Sequence, residues 1–297
     1  MTDLLAQLST DLAARTAALQ AAVAAVRLSP ERHLSATLWQ PDVAVASEQS
    51  LPRREEFELV LAGGAVATAK LVGRDQGTNI AVLRLAAPGS PPALVAGEAQ
   101  AGALALALGA DGTGGASVRL GAVNLAGPQW HSMAGGLIDR RIALDLRLAR
   151  AEEGGPVVSA AGTFLGMSTF GPRSRVLVIP ALTVERIVPA LLKDGQVARG
   201  WLGVALHPVA VPDALREQAG QSSGLMVMSL VEDGPAAKAG VAAGDIVLSV
   251  NDAPALGFRR LAGELAKGGI GRKAALRVVR GGSVLSLDAV IEARPAA

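Results

Sequence analysis

Between Glu56 and Ile179 the chain is a string of short apolar segments broken by Gly, Pro and Asp, and that punctuation constrains the fold most. Glu56-Phe57-Glu58-Leu59-Val60-Leu61 alternates polar and apolar, as a half-buried strand does. Gly63-Gly64 turns it back into Ala65 to Val72, and Asp75-Gln76-Gly77 precedes the apolar strand Ile80 to Leu85. Pro88, Pro91 and Pro92 make Ala86 to Glu98 a connector, since proline cannot donate to a central ladder. Further strands are expected at Leu104 to Leu108, Ser117 to Val123, Ile142 to Leu146, Val157-Val158, Phe164 to Ser168 and Arg175 to Ile179. Many short strands at close spacing predict a β-barrel or sandwich, closed by a helix from Thr183 to Leu192. With four Phe, three Trp and no Tyr, the cores must be built from Val, Leu, Ile and Ala.

The ends differ from this middle. Leu4, Leu5, Leu8, Leu12, Leu19 and Val23 fall near a 3.6-residue period, so Asp3 to Val26 reads as an amphipathic helix. Asp3 and Asp11 stand where a secretory signal wants positive charge, and no run is long enough to span a bilayer; the expected location is cytoplasmic and membrane contact is not expected. From Arg199 strands alternate with helices near Val211 to Ala219 and Phe258 to Lys267, which suits a small α/β module. The expected division is 1–27 for the helix, 28–194 for the β domain and 199–294 for the module.

Composition narrows the chemistry. The absence of cysteine excludes disulfides, thiolate zinc sites and thiol catalysis. Balanced charges, 28 basic against 26 acidic, and small clusters such as Arg53-Arg54 and Arg140-Arg141 read as solvated surface rather than a nucleic-acid footprint. The glycines of Gly109 to Gly115 lack the following Lys-Ser/Thr of a phosphate loop. His33, His131 and His207 have no serine at recognisable spacing, and Glu152-Glu153 has no second cluster with ligand spacing. No metal and no cofactor is expected.

In the C-terminal half, Arg199-Gly200-Trp201-Leu202-Gly203-Val204 is followed by Gly234-Pro235-Ala236-Ala237-Lys238-Ala239-Gly240 and by Gly244-Asp245-Ile246-Val247-Leu248-Ser249-Val250-Asn251. In this order and spacing they resemble a PDZ domain of the HtrA subtype. That resemblance implies strand addition of an extended peptide beside Gly203 and capture of its C-terminal carboxylate by the N–H groups of Trp201, Leu202, Gly203 and Val204. Leu261 and Leu265 either line the pocket for the last side chain or belong to the core.

The first half resembles the HtrA-type serine proteases, from about Ala22 to Leu192. Gly77-Thr78-Asn79-Ile80-Ala81-Val82-Leu83 is similar to the segment that carries the triad aspartate, with Asn79 at that position. Glu152-Glu153-Gly154-Gly155-Pro156 is similar to the segment of the nucleophile, with Glu153 in place of serine. Pro41 to Leu51 can be laid on the family's strand that ends in the catalytic histidine, with Gln49 then at that position, and the family's Asn-Pro-Gly run-in appears here as Ala149-Arg150-Ala151. Leu106 to Gly109, Leu120 to Val123, Asp145 and Lys193 to Arg199 support the match.

The resemblance implies a mainly β chain: a trypsin-like double β-barrel with an N-terminal helix, then a small α/β PDZ domain. An amide cannot serve as base, Asn79 has no charge to steady an imidazolium, and a carboxylate at 153 repels a developing oxyanion. The expectation is therefore no enzyme but an inactive HtrA-like pseudoprotease with degenerate positions Gln49, Asn79 and Glu153. It would bind protein C-termini or unfolded peptides as a scaffold, chaperone-like or regulatory protein, and as a homo-oligomer, a trimer by resemblance. The alternative is an active serine-type endopeptidase with a non-standard catalytic set. Glu153 either fills the former oxyanion site and locks its loop, or points to solvent.

Overall fold

Alternation along the first strands sets the architecture, which is described for residues 3–295 of a computed structural model. Ala24 and Val26, Ala36 and Leu38, Ala44 and Ala46, Phe57 and Leu59, Ala67 and Ala69, and Ala81 and Leu83 share one buried cluster. They occupy every second position of β1 (Val23–Ser29), β2 (Arg32–Gln40), β3 (Val43–Ser47), β4 (Glu56–Val60), β5 (Val66–Asp75) and β6 (Ile80–Leu85). These strands close a barrel in the order β1-β2-β3-β6-β5-β4, so the period of two puts one face inside. Alanines make up much of this interior, with Phe57 as its aromatic member.

A second closed barrel, in the order β11-β14-β13-β12-β7-β8, follows. It uses β7 (Leu104–Ala110), β8 (Ala116–Gly127), β11 (Arg141–Asp145), β12 (Pro156–Ser159), β13 (Phe164–Phe170) and β14 (Val176–Pro180). The short strands β9 (Trp130–His131) and β10 (Leu137–Ile138) pair between β8 and β11. Ala105, Ala107, Ile142, Leu144, Val157, Leu165 and Val178 build its interior. Leu106, Leu108 and Phe164, facing the other way, meet Val23, Ala25 and Val60 of the first barrel. The outward faces of β3 and β6 are likewise covered, by Ile179, Met167 and the helix α2 (Ala181–Asp194). Burial on both faces explains why Ile80 to Leu85 is apolar at all but Arg84.

The N-terminal helix α1 is shorter than the sequence predicts. It spans Leu4–Leu19, capped by Asp3, and Val23–Ser29 is strand β1 rather than helix. Leu19 and Val23 do lie in one cluster, which keeps their helical spacing, but Ala24 and Val26 turn into the barrel, an alternation only a strand makes. His33 lies within β2, its Nε2 3.0 Å from the Ala110 carbonyl. Met1 and Thr2 of the expected 1–27 segment lie outside the described residues.

Packing divides the chain into two units, one through Trp130 together with Leu137–Val197, the other His131–Gly136 together with the chain from Ala198. The second unit carries β15 (Gly200–Trp201), β16 (Val204–Ala210), α3 (Arg216–Ala219), β17 (Ser223–Leu230), α4 (Pro235–Lys238), β18 (Ile246–Val250), β19 (Ala253–Pro254), α5 (Phe258–Gly268), β20 (Lys273–Arg280), β21 (Ser283–Val290) and β22 (Glu292–Ala293). Its main sheet runs β16-β17-β18-β20-β21, with β19 beside β18. Among the described residues no helix is long and apolar enough to cross a membrane.

One ion pair ties this sheet to its loops. Asp245 is buried and accepts from Arg280 Nε and Nη2 at 2.7 Å each and from the Ala242 N–H at 2.8 Å. Burial pushes its carboxyl upward, but the Arg280 and Ala242 hydrogen bonds outweigh burial and hold it below the usual range. Asp245→Ala takes the carboxylate from the guanidinium, which keeps the Gly240 carbonyl at 2.7 Å, leaves the Ala242 amide without its acceptor, and is expected to lower the melting temperature of the second unit by about 5 °C. Calorimetry that shows no shift would contradict this role.

Candidate functional site

Three stretches far apart in sequence meet where the two barrels pack. β3 ends at Ser47, and the tight turn Glu48–Ser50 follows. Asn79 precedes β6 with φ 59°, a left-handed conformation that asparagine tolerates better than most residues. Glu153 stands between the turn Arg150–Glu152 and β12, opposite the end of β13 at Thr169 and Phe170. Gln49, Asn79 and Glu153 are thus brought together.

Their chemistry is a closed hydrogen-bond network. Glu153 is buried, and its Oε1 accepts from Ser47 Oγ at 2.8 Å, Gln49 Nε2 at 2.7 Å, Thr169 Oγ1 at 2.9 Å and the Phe170 N–H at 3.2 Å. Ser50 Oγ donates to Oε2 at 2.5 Å. Asn79 Nδ2 donates to Thr169 Oγ1 at 2.7 Å and Ser47 Oγ at 3.0 Å, while its Oδ1 accepts from the Gln49 N–H at 2.7 Å. The reading of Glu153 as a solvated side chain is corrected: the carboxylate points inward. It accepts mainly from side chains, with Phe170 as the backbone donor, and so does not fill a cradle made of amides alone.

Glu152, next to it, faces the other way. It too is buried, accepting from Arg119 Nε at 3.0 and 3.2 Å, Ser117 Oγ at 2.9 Å and the Ala149 N–H at 2.7 Å. Two adjacent carboxylates therefore anchor opposite sides of one turn. Gly154 follows with φ 96°, and a Cβ there would stand 2.2 Å from the Ser35 carbonyl oxygen, so any side chain would open the turn.

Burial pushes the Glu153 carboxyl upward, yet the hydrogen bonds from Ser50, Gln49, Ser47 and Thr169 outweigh it and hold the group below the usual carboxylate range. The group is therefore ionised at neutral pH. None of the three triad positions offers the hydroxyl, imidazole or orienting carboxylate of a Ser–His–Asp set, so hydrolysis here requires other groups. Sequence alone does not single out Ser47, Ser50 and Thr169: serine and threonine are common, and only folding aims these three at one carboxylate. A cavity of about 760 Å³ lined by Arg27, Arg54, Phe57 and Glu58 shares no residue with this network. Among the described residues no group of three or more His, Asp and Glu side chains is placed to hold a metal ion.

In the second unit, Trp201 ends β15 and Val204 begins β16, with Leu202 and Gly203 buried between them. Gly203 has φ 74°, and a Cβ there would press on Trp201 Cη2 at 3.2 Å. β16 is the edge of its sheet, paired on one side only, by β17. Leu261 and Leu265 of α5 are buried in the same cluster as Leu202 and Ile291, with Val204, Leu206 and Leu230 packed against it.

Residues 14–167 match the trypsin-like peptidase domain family and residues 200–291 the PDZ domain family. A probable periplasmic serine endoprotease, DegP-like, from Brucella suis biovar 1 (strain 1330) is 33% identical over 251 residues, covering 81% of this chain and 48% of the relative. One of the same description from Bartonella henselae (strain ATCC 49882 / DSM 28221 / CCUG 30454 / Houston 1) is 30% identical over 250 residues, covering 80% and 48%. The chain spans about half the length of the curated relatives it matches. Among solved structures, the HtrA-type protease AlgW with tripeptide superposes with a TM-score of 0.72 at 26% identity, over 96% of this chain and 98% of that one.

These findings agree with the expected fold class and correct two other expectations. The chain was expected to be no enzyme; its relatives are named serine endoproteases, and three altered side chains at 33% identity do not carry an inactive reading against them. The cytoplasmic expectation is overturned as well, because those relatives are named periplasmic, which points outside the cytoplasm.

The lowered Glu153 pKa fixes the sign of a pH effect. Its contribution to stability is complete above the unfolded carboxylate value of about 4.3 and is lost as pH falls through the lower folded value. Glu153→Gln should melt below the unsubstituted protein at neutral pH, with the gap closing as pH falls below about 4. Thermal melts across that range check it; a gap constant with pH would contradict the assignment.

Proposed function

We propose, on the premise that the chain belongs to the trypsin-like peptidase family and is of the HtrA type with one PDZ domain, that it engages peptides by their free C-termini. The observation that carries this reading is the unpaired edge of β16 directly after the Trp201-Leu202-Gly203-Val204 turn. An extended peptide adds to that edge through main-chain hydrogen bonds, and its carboxylate meets the backbone N–H groups of the turn. Leu261 and Leu265 support the floor of this groove from the core, and the partly buried Val204, Leu206 and Leu230 lie nearer its surface. The AlgW protease, solved with a tripeptide, supports peptide binding as a property of this architecture.

Fluorescence polarisation of a labelled peptide with a free C-terminal acid, against the same peptide as an amide, tests the proposal. The amide is expected to bind about tenfold more weakly, since it loses the charge-assisted hydrogen bonds. Equal affinities would sink the C-terminal reading.

A second reading, cleavage by the barrel domain, is favoured by one contact. Ser50 Oγ donates to the Glu153 carboxylate at 2.5 Å, which places a hydroxyl against a base. In this reading Ser50 is the nucleophile and Glu153 takes its proton, while Gln49 and Asn79 hold the carboxylate's neighbours in place. A base with a lowered pKa draws the proton weakly, so turnover is slow and falls in acid. Unfolded casein should be cut, and a serine-reactive phosphonate should label the protein, both effects disappearing in Ser50→Ala. Cleavage or labelling that survives Ser50→Ala would place the nucleophile elsewhere.

A further inference from the structure

The five donors around Glu153 are all neutral: three hydroxyls, one amide and one backbone N–H. A buried carboxylate is ordinarily held by a cation, because hydrogen bonds to neutral groups replace its lost hydration less completely. Two charged side chains beside the network are engaged elsewhere: Glu48, next to Gln49, with Arg74 at 3.6 Å, and Glu152, next to Glu153, with Arg119 at 3.0 Å. The donors come from β3, the turn after it and the end of β13, so they are positioned by both barrels and not by Glu153 itself. Asn79 holds two of them, Ser47 and Thr169, from behind.

We propose that these donors form an anion site in its own right, occupied in cis by the Glu153 side chain and able to take a small carboxylate from solution when that side chain is absent. The ligand class follows from the atoms. Truncating Glu153 at Cβ removes one methylene and one carboxylate, the heavy atoms of acetate, and leaves Ser47, Gln49, Ser50, Thr169 and the Phe170 N–H facing the vacated space. In the natural chain the same cradle is closed to outside carboxylates because its own is covalently supplied at high effective concentration. The proposal is independent of peptide capture by the second unit and of cleavage by Ser50.

Melting temperatures of the full chain and of Glu153→Ala, measured in sodium acetate and in sodium chloride of equal ionic strength at neutral pH, test it. At an acetate concentration ten times its dissociation constant the variant is expected to gain about 4 °C over chloride, and the unsubstituted chain nothing. Acetamide, the neutral isostere, should give no gain. An equal acetate response in both proteins, or an equal response to acetamide, overturns the site. If Glu153→Ala does not fold in chloride, recovery of folded protein in acetate but not in acetamide supports the site, and failure in all three media overturns it.

Discussion

Hydrogen bonds converging on the Glu153 carboxylate join the end of β3, the turn Glu48–Ser50 and the end of β13, and the packing of the two barrels is arranged around them. A charge buried between apolar layers is tolerated only when its hydration is replaced, and here five donors do so without a cation. Asn79 orients part of the network: it fixes Ser47 and Thr169, and its Oδ1 holds the Gln49 backbone. Around this polar knot the walls are apolar. Val43, Val45, Ile80 and Val82 face α2, and Leu106, Leu108 and Phe164 face the first barrel.

The loop that carries Glu153 owes its shape to a pair of opposed anchors. Glu152 is tied to Arg119 and Ser117 on β8, and Glu153 to the first barrel, so the chain between them cannot rotate without breaking one set. Gly154, with φ 96° and no room for a Cβ, lets the chain pass Ser35 directly afterwards. The second unit uses a comparable device in another place, where Asp245 joins the start of β18 to Arg280 at the end of β20.

Much of the β framework is legible in the sequence because alternation and turn residues are local signals. Ile80 to Leu85 is legible to the residue, and Gly63-Gly64 marks the return between β4 and β5. The start of β1 reads instead as helix, since residues buried on both faces lose the alternation that identifies a strand. The positions Gln49, Asn79 and Glu153 can be aligned by their flanking motifs, while Ser47, Ser50 and Thr169 cannot: they gain meaning only from what they face. Two functional expectations fell to kinship. Absent triad chemistry argued against an enzyme and an acidic N-terminus argued for the cytoplasm, and relatives named periplasmic serine endoproteases overturned both.

The sequence by itself determined most of the strands from Glu56 onward and a β domain followed by an α/β module, and, through the resemblance carried by its motifs, the double barrel and the residue types at the three positions where a triad would stand. Those follow from periodicity, turn chemistry and motif order, which are written along the chain. Only the tertiary structure decided that Glu153 turns inward and that two serines, a threonine and a glutamine meet it, because hydrogen bonds between residues some hundred positions apart depend on how the barrels close and pack.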